Sequence, residues 1–339
     1  MLRRDFIGVA SGLGALCGAG CSTREPAAPE REISISMSQH LSMAVANLAD
    51  EAGYFRQAGF RLNRLNLRTP QAVPLLAGGK LDVALGGLGA NLVNAILRGM
   101  TTQVVAGRET VNPNCGEPFT LYSHKGVFDT DEIDPRRLKG RRFSVRRHGI
   151  TDFILDTFLD DVGLTRDDVE CVDLSLQESI AALASRKVDA LFDLEFSRSL
   201  LAVSPDIVQV WRFADNHPGH QYSFILFGDS MLQHDVQTGA RFLAAYLKAA
   251  QEYQDGRTPA FLHEFAARNS LNQDAVVSAC RETFPTDGHI DLPSVQRMTD
   301  WYVRRGLATG TLPASRMVDT RFVEEARRLL ASGEWRVSG

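Results

Sequence analysis

The sequence of 339 residues lacks the local motifs on which most hydrolases and metal sites depend. It contains no Gly-x-Ser-x-Gly elbow and no His-Glu-x-x-His helix, and its cysteines fit no zinc spacing. No basic stripe is present, and the formal net charge is −4. These absences exclude nucleic acid as an expected partner, and nothing in the sequence points to a catalytic or metal-ligating set.

The N-terminal apolar run is too short to span a membrane as an ordinary helix. Arg3-Arg4-x-Phe6-Ile7 resembles a twin-arginine export signal, and Gly18-Ala19-Gly20-Cys21 resembles a lipoprotein cleavage box. We therefore interpret residues 1–21 as an export signal, with Cys21 as the lipidation site. The alternative is an ordinary export signal with an unmodified Cys21. Residues 22–32, rich in proline, alanine and charge, are typical of a flexible tether.

The cysteines after this segment show no pairing logic. Their spacing is wide and irregular, and their number is odd: Cys115, Cys171 and Cys280. We expect free thiols, although export to an oxidising compartment leaves a disulfide open.

The most informative feature present is a long internal repeat. Leu75–Leu85 is echoed by Ala182–Phe192, and each copy ends a helix, turns through basic residues and enters a buried strand through Lys-x-Asp. Aligning Asp82 with Asp189 gives an offset of 189 − 82 = 107 residues. A unit of this length is a βαβαβ half-domain, so the chain is expected to form two lobes that face each other across a cleft.

The hydrophobic pattern predicts an α/β architecture. Short apolar strands alternate with helices, which favours mostly parallel sheets with helices packed on them. From Asp229 onward the pattern is almost wholly helical, with candidates at 237–253, 258–268, 273–283, 292–304 and 321–330. We expect lobe 1 to comprise residues 33–117 and 227–339 and lobe 2 to comprise residues 118–226, with the helical tail packed on lobe 1 and bracing the hinge.

Ligands of open α/β sheets bind beyond the carboxyl ends of strands, where helix N-termini present backbone N–H groups. Four strand-to-helix junctions at matched positions of the repeat therefore supply the candidate binding residues. These are Ser38, Gln39 and His40; Gly87 and Asn91; Arg146, His148 and Thr151; and Asp193 and Glu195. Arg108 at the cleft mouth and Tyr222 on the return strand complete the set.

Several candidates also have a structural explanation. The glycines after Leu85 serve tight packing equally well, and their spacing is wrong for a dinucleotide fingerprint. Arg146 suits a solvated rim, and Arg108 can pair with Glu109. Asp193 and Glu195 suit a helix cap and the first turn of a helix.

Several motifs in the same order resemble one protein family. They are Gly53-Tyr54-Phe55 with Gly59, Leu76–Ala84, Leu138–Arg142 and Ala182–Ala190. The resemblance is to the periplasmic solute-binding proteins of ABC importers for nitrate, sulfonates, taurine and thiamine precursors, and it covers roughly Ile33 to Val210. It implies a two-lobed type II periplasmic-binding-protein fold, a hinge of two crossing strands and closure on the ligand.

The resemblance further implies a monomeric binding protein that uses no cofactor and delivers its cargo to an ABC permease. A small organic anion or zwitterion is the expected ligand, and a pyrimidine thiamine precursor is the alternative, motivated by Tyr222 and Phe196. Relatives that synthesise the pyrimidine are enzymes that use pyridoxal phosphate on a lysine. The first-lobe cleft loops carry no lysine, so we do not expect this enzyme activity here. An exported sensory module without an importer shares every one of these features.

Overall fold

The computed structural model describes residues 30–114, 119–128, 132–147, 149–192, 205–278 and 282–337. Several predictions concern residues outside these ranges: the export signal of residues 1–21 with Cys21, the first part of the tether, His148, Asp193, Glu195, Phe196, Cys115 and Cys280. The first strand begins at Arg31, two residues inside the predicted tether.

The described chain forms two sheets of five strands each, which confirms the predicted fold class. The first sheet has the order β2-β1-β3-β10-β4, and the second has the order β7-β6-β8-β5-β9. The strands are β1 (Arg31–Ser36), β2 (Phe60–Leu65), β3 (Val83–Gly87), β4 (Thr102–Gly107), β5 (Thr120–His124), β6 (Arg142–Ser144), β7 (Glu170–Val172), β8 (Ala190–Phe192), β9 (Ile207–Arg212) and β10 (Ser223–Gly228).

Each sheet combines four strands that run in the same direction with one inserted antiparallel strand. In the first sheet β1 pairs in parallel with β2 and β3, and β10 lies antiparallel between β3 and β4. In the second sheet β6 pairs in parallel with β7 and β8, and β5 lies antiparallel between β8 and β9. The chain leaves the first sheet after β4 and returns to it through β10, so two segments connect the lobes.

Helices flank both sheets and fill the C-terminal region, as the pattern predicted. They are α1 (Ala44–Glu51), α2 (Tyr54–Gln57), α3 (Thr69–Ala77), α4 (Ala90–Leu97), α5 (Ile150–Val162), α6 (Leu176–Ala184), α7 (Phe213–Asn216), α8 (Asp229–Leu232), α9 (Val236–Gln254), α10 (Ala260–Arg268), α11 (Gln273–Ser278), α12 (Leu292–Arg304) and α13 (Arg321–Ser332). Among the helices of the described residues, none has both the length and the apolarity to cross a membrane.

The repeat has a physical basis in one contact that both lobes share. The Asp82 carboxylate accepts the backbone N–H of Ser34 at 2.8 Å, and the Asp189 carboxylate accepts that of Arg142 at 2.8 Å. The backbone N–H of each aspartate donates in return, Asp82 to the Ser34 carbonyl at 3.0 Å and Asp189 to the Arg142 carbonyl at 2.8 Å. The Lys-x-Asp signature therefore fixes the register of neighbouring parallel strands.

The turn before each aspartate also repeats its backbone conformation. Gly79 has φ +64°, and Arg186, at the matched position 107 residues later, has φ +58°. Glycine adopts this left-handed conformation without steric cost, whereas an arginine is strained there. The turn of the second copy therefore has the same left-handed conformation as that of the first, although arginine replaces glycine there.

Among the described residues, two large hydrophobic clusters and a small third one around Leu183 and Leu191 in lobe 2 form the core. One large cluster lies between the first sheet and helices α1, α9 and α13. The other large cluster runs from the opposite face of the first sheet through α4 and α12 into the second lobe, where it includes Phe143 and Phe158. The helical C-terminal region thus packs on lobe 1, and α12 extends the shared core toward lobe 2.

Candidate functional site

The carboxyl ends of β1, β2 and β3 lie side by side in lobe 1, because these three strands are parallel neighbours. The ends of β1 and β2 are tied together: Met37 donates its N–H to the Leu65 carbonyl at 2.9 Å, and the Ser36 hydroxyl donates to the Leu67 carbonyl at 2.8 Å. Each strand then leads into a helical segment. Backbone N–H groups at the starts of these segments gather at one edge of the sheet.

The residues that follow β1 have different surroundings. Ser38 is half-buried, whereas Gln39 and His40 are exposed. The Gln39 side-chain oxygen accepts a hydrogen bond from the Arg268 guanidinium of α10. The tip of this loop is therefore anchored to the C-terminal helices of lobe 1.

The two glycines at the end of β3 belong to the strand rather than to the turn after it. A Cβ at Gly86 would stand 2.1 Å from the Thr69 hydroxyl oxygen, so a larger residue there would force the Thr69 side chain at the start of α3 to move. A Cβ at Gly87 would lie 3.1 Å from the Tyr222 carbonyl oxygen. The expectation that Gly86 and Gly87 follow the strand is wrong, because β3 extends two residues further to pair with β10.

Asn91 joins the starts of two helices. Its side-chain amide donates to the Pro70 carbonyl in α3 at 3.1 Å, and its side-chain oxygen accepts the N–H of Leu92 at 3.0 Å. The half-buried side chain therefore fixes the start of α4 against the start of α3. The predicted binding residue lies at the strand-end edge and has a structural task there.

Arg108 lies immediately after β4 and is fully enclosed by protein. Its guanidinium donates to the Tyr246 hydroxyl at 3.1 Å, the Ser223 hydroxyl at 2.9 Å and the Ser42 carbonyl, and it lies 3.6 Å from the Glu109 carboxylate. Burial alone would lower the pKa of Arg108, but the Glu109 charge and the Tyr246 contact raise it. Arg108 is therefore a buried cation that ties β4 and β10 to the loop after β1.

Tyr222 immediately precedes β10 on the segment that returns to lobe 1. It is 9% exposed, and its ring packs edge-on against Phe119 with centroids 5.0 Å apart. Its backbone N–H donates to the Glu109 carbonyl at 3.1 Å. The antiparallel pairing of β4 with β10 thus continues beyond the sheet as a two-stranded ribbon between the lobes.

In lobe 2 the corresponding edge lies at the carboxyl end of β6. Arg146 is half-exposed and Thr151 is buried, and the Thr151 hydroxyl donates to the Arg146 carbonyl at 3.2 Å. Helix α5 begins at Ile150 with Gly149 as its N-cap. Asp152 in its first turn is 2% exposed and pairs with the Arg166 guanidinium.

One helix touches both edges and so places them beside each other. The Tyr302 hydroxyl of α12 donates to the Leu88 carbonyl, next to the start of α4, at 2.8 Å. The adjacent Trp301 donates its indole N–H to the Asp156 carboxylate, in the second turn of α5, at 2.7 Å. Neighbouring residues of α12 therefore contact the strand-end region of lobe 1 and the first half of α5 in lobe 2.

The sequence reasoning missed the end of β2. Arg68 is exposed, and its backbone N–H donates to the Gln71 side-chain oxygen at 3.0 Å, which opens α3. This arginine lies at the same edge as Ser38 and Asn91. The sequence signal for Arg68 is the Thr69-Pro70 pair that follows it, because proline is common at the start of a helix and this start lies directly after β2.

Cys171 in β7 is a free, half-buried thiol. Its sulfur lies 3.2 Å from the Arg166 guanidinium. Among the described residues, no group of three or more histidine, cysteine, aspartate and glutamate side chains is arranged to hold a metal ion.

The two sheets, each with one inserted antiparallel strand and joined by two connecting segments, define the class of two-lobed periplasmic-binding-protein folds. A sequence model described as NMT1/THI5 like matches residues 39–256. The match covers more than half of the chain, and the chain belongs to this family. It confirms the resemblance to solute-binding proteins drawn from the sequence motifs. No curated protein sequence matches the chain.

Solved structures share the fold at low sequence identity. The alkanesulfonate-binding protein SsuA from Xanthomonas axonopodis pv. citri, bound to MOPS, has a TM-score of 0.67 and 16% identity over 87% of this chain and 100% of its own. The periplasmic aliphatic sulphonate binding protein SsuA from Escherichia coli has a TM-score of 0.69 and 14% identity, covering 86% and 93%. The desulfurization enzyme DszB has a TM-score of 0.65 and 16% identity, covering 88% and 99%.

Proposed function

We propose that the protein is an extracytoplasmic solute-binding protein that captures a small organic anion or zwitterion between its lobes and delivers it to an ABC permease. The observation that carries the proposal is the placement of two strand-end edges beside one helix, through Tyr302 and Trp301. Sulfonates, taurine and nitrate are the ligands that fit this chemistry. The sulfonate-binding proteins with the same fold support the choice.

The chemistry at the two edges favours an anion. The first turns of α4 and α5 present backbone N–H groups, and the partial positive charge of a helix N-terminus stabilises a negative group. Arg68 in lobe 1 and Arg146 in lobe 2 add full positive charges at the same two edges. We propose that the anionic group binds between these arginines and that His148 donates to it.

We propose that Glu195 and Asp193 hold the cationic group of a zwitterion. Tyr222 is proposed as an aromatic wall of the site, because it lies on the ribbon between the lobes. Ser38, Gln39 and His40 are proposed as the first-lobe contacts. Gly87, Asn91 and the enclosed Arg108 are proposed to shape the edge around them.

Isothermal titration calorimetry of the mature protein against sulfonates, taurine, nitrate and aminopyrimidines tests the ligand class. We expect saturable binding of an anion, because the two arginines and the helix starts favour negative charge. Binding of aminopyrimidines, with no binding of any anion, would overturn the anion as ligand class in favour of the pyrimidine alternative. Chemical conversion of a bound solute would instead place the chain with the desulfurization enzyme that shares its fold.

Two matched arginine variants test the location of the site. Arg146→Gln is expected to weaken anion binding by roughly 1–3 kcal/mol, the usual cost of losing a hydrogen bond to a charged group. Arg136→Gln is the control, since Arg136 is exposed and pairs with Asp134 before β6. Equal affinities of the two variants would place the ligand elsewhere. His148→Ala is expected to behave like Arg146→Gln.

We propose that the protein is exported and anchored to the membrane through a lipid on Cys21. Fractionation of cells that express the full chain tests this anchor. The unaltered chain is expected in the membrane fraction, and Cys21→Ser is expected to be released. A Cys21→Ser protein that stays in the membrane fraction would contradict a lipid on this residue.

A further inference from the structure

Helix α12 is held firmly on lobe 1. The Tyr302 hydroxyl donates to the Leu88 carbonyl, and the Asn94 side chain in α4 donates to the Leu307 carbonyl just after α12 at 2.9 Å. The segment that follows pairs with the sheet itself, since Val104 in β4 donates its N–H to the Met317 carbonyl at 2.8 Å. Any movement of lobe 1 therefore carries α12 with it.

The opposite side of α12 is bound to lobe 2. Trp301, which is 3% exposed, donates its indole N–H to Asp156 Oδ2 at 2.7 Å. Arg305, immediately after the helix, places its Nε 3.4 Å from the same oxygen. The Trp301 ring also meets the Phe153 ring of α5 edge-on, with centroids 5.7 Å apart and planes at 84°.

Asp156 is held in place by its own lobe. Its other oxygen, Oδ1, pairs with the Arg166 guanidinium, which also pairs with Asp152 one turn earlier in α5. The Asp156 side chain is 16% exposed, so water screens it only in part. The carboxylate is thus a fixed acceptor on lobe 2 that faces a donor and a cation on lobe 1.

The ribbon between the lobes passes beside this contact. His220, which is 1% exposed, stacks on Phe153 with ring centroids 5.5 Å apart, and its Nδ1 lies 3.0 Å from the Arg297 guanidinium of α12. Phe153 therefore packs against both the ribbon and α12. The contact lies next to the segment about which the lobes would turn, rather than at a distant rim.

We propose that Asp156, Trp301 and Arg305 form an interlobe latch that sets the angle between the lobes and thereby regulates closure on the ligand. Hinge closure moves the lobes as rigid bodies, so a contact that joins α12 to α5 must stretch when they separate. The latch stabilises the arrangement described here at the expense of more open ones. Its effect on ligand affinity rests on the proposed function, whereas its effect on the free protein does not.

The size of the effect follows from the hydrogen bond that Trp301 donates to Asp156. A buried hydrogen bond to a charged group shifts an equilibrium between two arrangements by about tenfold or more when it is present in only one of them. Trp301→Phe removes the donor and keeps an aromatic ring against Phe153. Arg305→Gln removes the cation and keeps most of the side chain.

Energy transfer between two dyes measures the interlobe distance directly. Lys80 and Lys187 are exposed, lie at matched positions of the repeat and belong to different lobes, so Lys80→Cys and Lys187→Cys carry the dyes. The full chain has its own five cysteines replaced by serine. Trp301→Phe is expected to shift the ligand-free distance distribution toward longer distances, with at least a tenfold rise in the ratio of open to latched molecules, and Arg305→Gln is expected to shift it in the same direction.

Trp335→Phe is the matched control, because Trp335 is buried within lobe 1, where it meets Tyr54 edge-on. It is expected to leave the distance distribution unchanged. An unchanged distribution in both Trp301→Phe and Arg305→Gln would overturn the latch, whatever the ligand is found to be. A shift in these variants together with no binding of any solute would keep the latch and refute the proposed function.

Discussion

The aspartates of the repeat make one prediction that can be worked through in detail. Asp82 accepts the Ser34 N–H at 2.8 Å, the Ser34 hydroxyl at 2.7 Å and the Ser230 hydroxyl. Asp189 accepts the Arg142 N–H at 2.8 Å and lies 3.9 Å from the Arg141 guanidinium. The first-lobe aspartate therefore joins three elements, whereas its repeat partner joins two neighbouring strands.

Replacing each aspartate by alanine is expected to have unequal effects. Hydrogen bonds to a charged group contribute about 1.5–3 kcal/mol each, and bonds that share one acceptor are not additive. We expect Asp82→Ala to lower the free energy of unfolding by about 3 kcal/mol. For Asp189→Ala we expect a loss of about 1–1.5 kcal/mol, because its side chain is 27% exposed and water can replace it on the Arg142 N–H.

Urea unfolding followed by far-ultraviolet circular dichroism at pH 7 measures both losses. Asp160→Ala serves as the control, since Asp160 is exposed on α5 and a surface change of this kind is usually within about 0.5 kcal/mol of neutral. Equal losses for the two repeat aspartates would refute the reasoning, because the structure gives them different numbers of partners. An Asp82→Ala protein as stable as the control would refute it as well.

The remaining predictions concern backbone strain and pH. Arg186→Gly is expected to stabilise lobe 2 by roughly 0.5–1 kcal/mol in thermal unfolding, because glycine adopts the left-handed conformation without strain. Gly79→Ala is expected to destabilise lobe 1 by a similar amount. Changes of the opposite sign would contradict the argument from backbone strain. Burial and then the Arg297 charge lower the pKa of His220 to about 3 in the folded protein. In the unfolded chain this histidine takes up a proton near its ordinary pKa of about 6.5, so the free energy of unfolding decreases as the pH is lowered below about 6.5. His220→Gln is expected to reduce the slope of the free energy of unfolding against pH, between pH 6 and 4, by about 1.4 kcal/mol per pH unit. An unchanged slope would contradict the lowered pKa of His220.

Much of the fold could be predicted because it depends on local sequence patterns. The Lys-x-Asp echo predicted two lobes, and each aspartate proved to bind the neighbouring parallel strand. The predicted helix over residues 292–304 matches α12, whose apolar residues recur at helical spacing and whose N-cap is Asp291. Local periodicity and capping determine such segments, and a sequence displays both.

The candidate site was less predictable because its neighbours come from distant parts of the chain. Arg108 was expected at the cleft mouth, and its partners Tyr246 and Ser42 lie 138 and 66 residues away in the sequence. The contact of Trp301 with Asp156 joins residues 145 apart. No spacing rule connects such pairs, since tertiary packing alone decides which side chains meet.

The central claim is that a solute binds between the strand-end edges of the two lobes. Hydrogen–deuterium exchange of the mature protein, with and without the solute that calorimetry identifies, tests it most directly. We predict slower exchange at residues 37–40, 68–70, 86–91 and 146–151 and no change in α13 on the far side of lobe 1. Protection confined to other surfaces, with these four segments unchanged, would contradict the account.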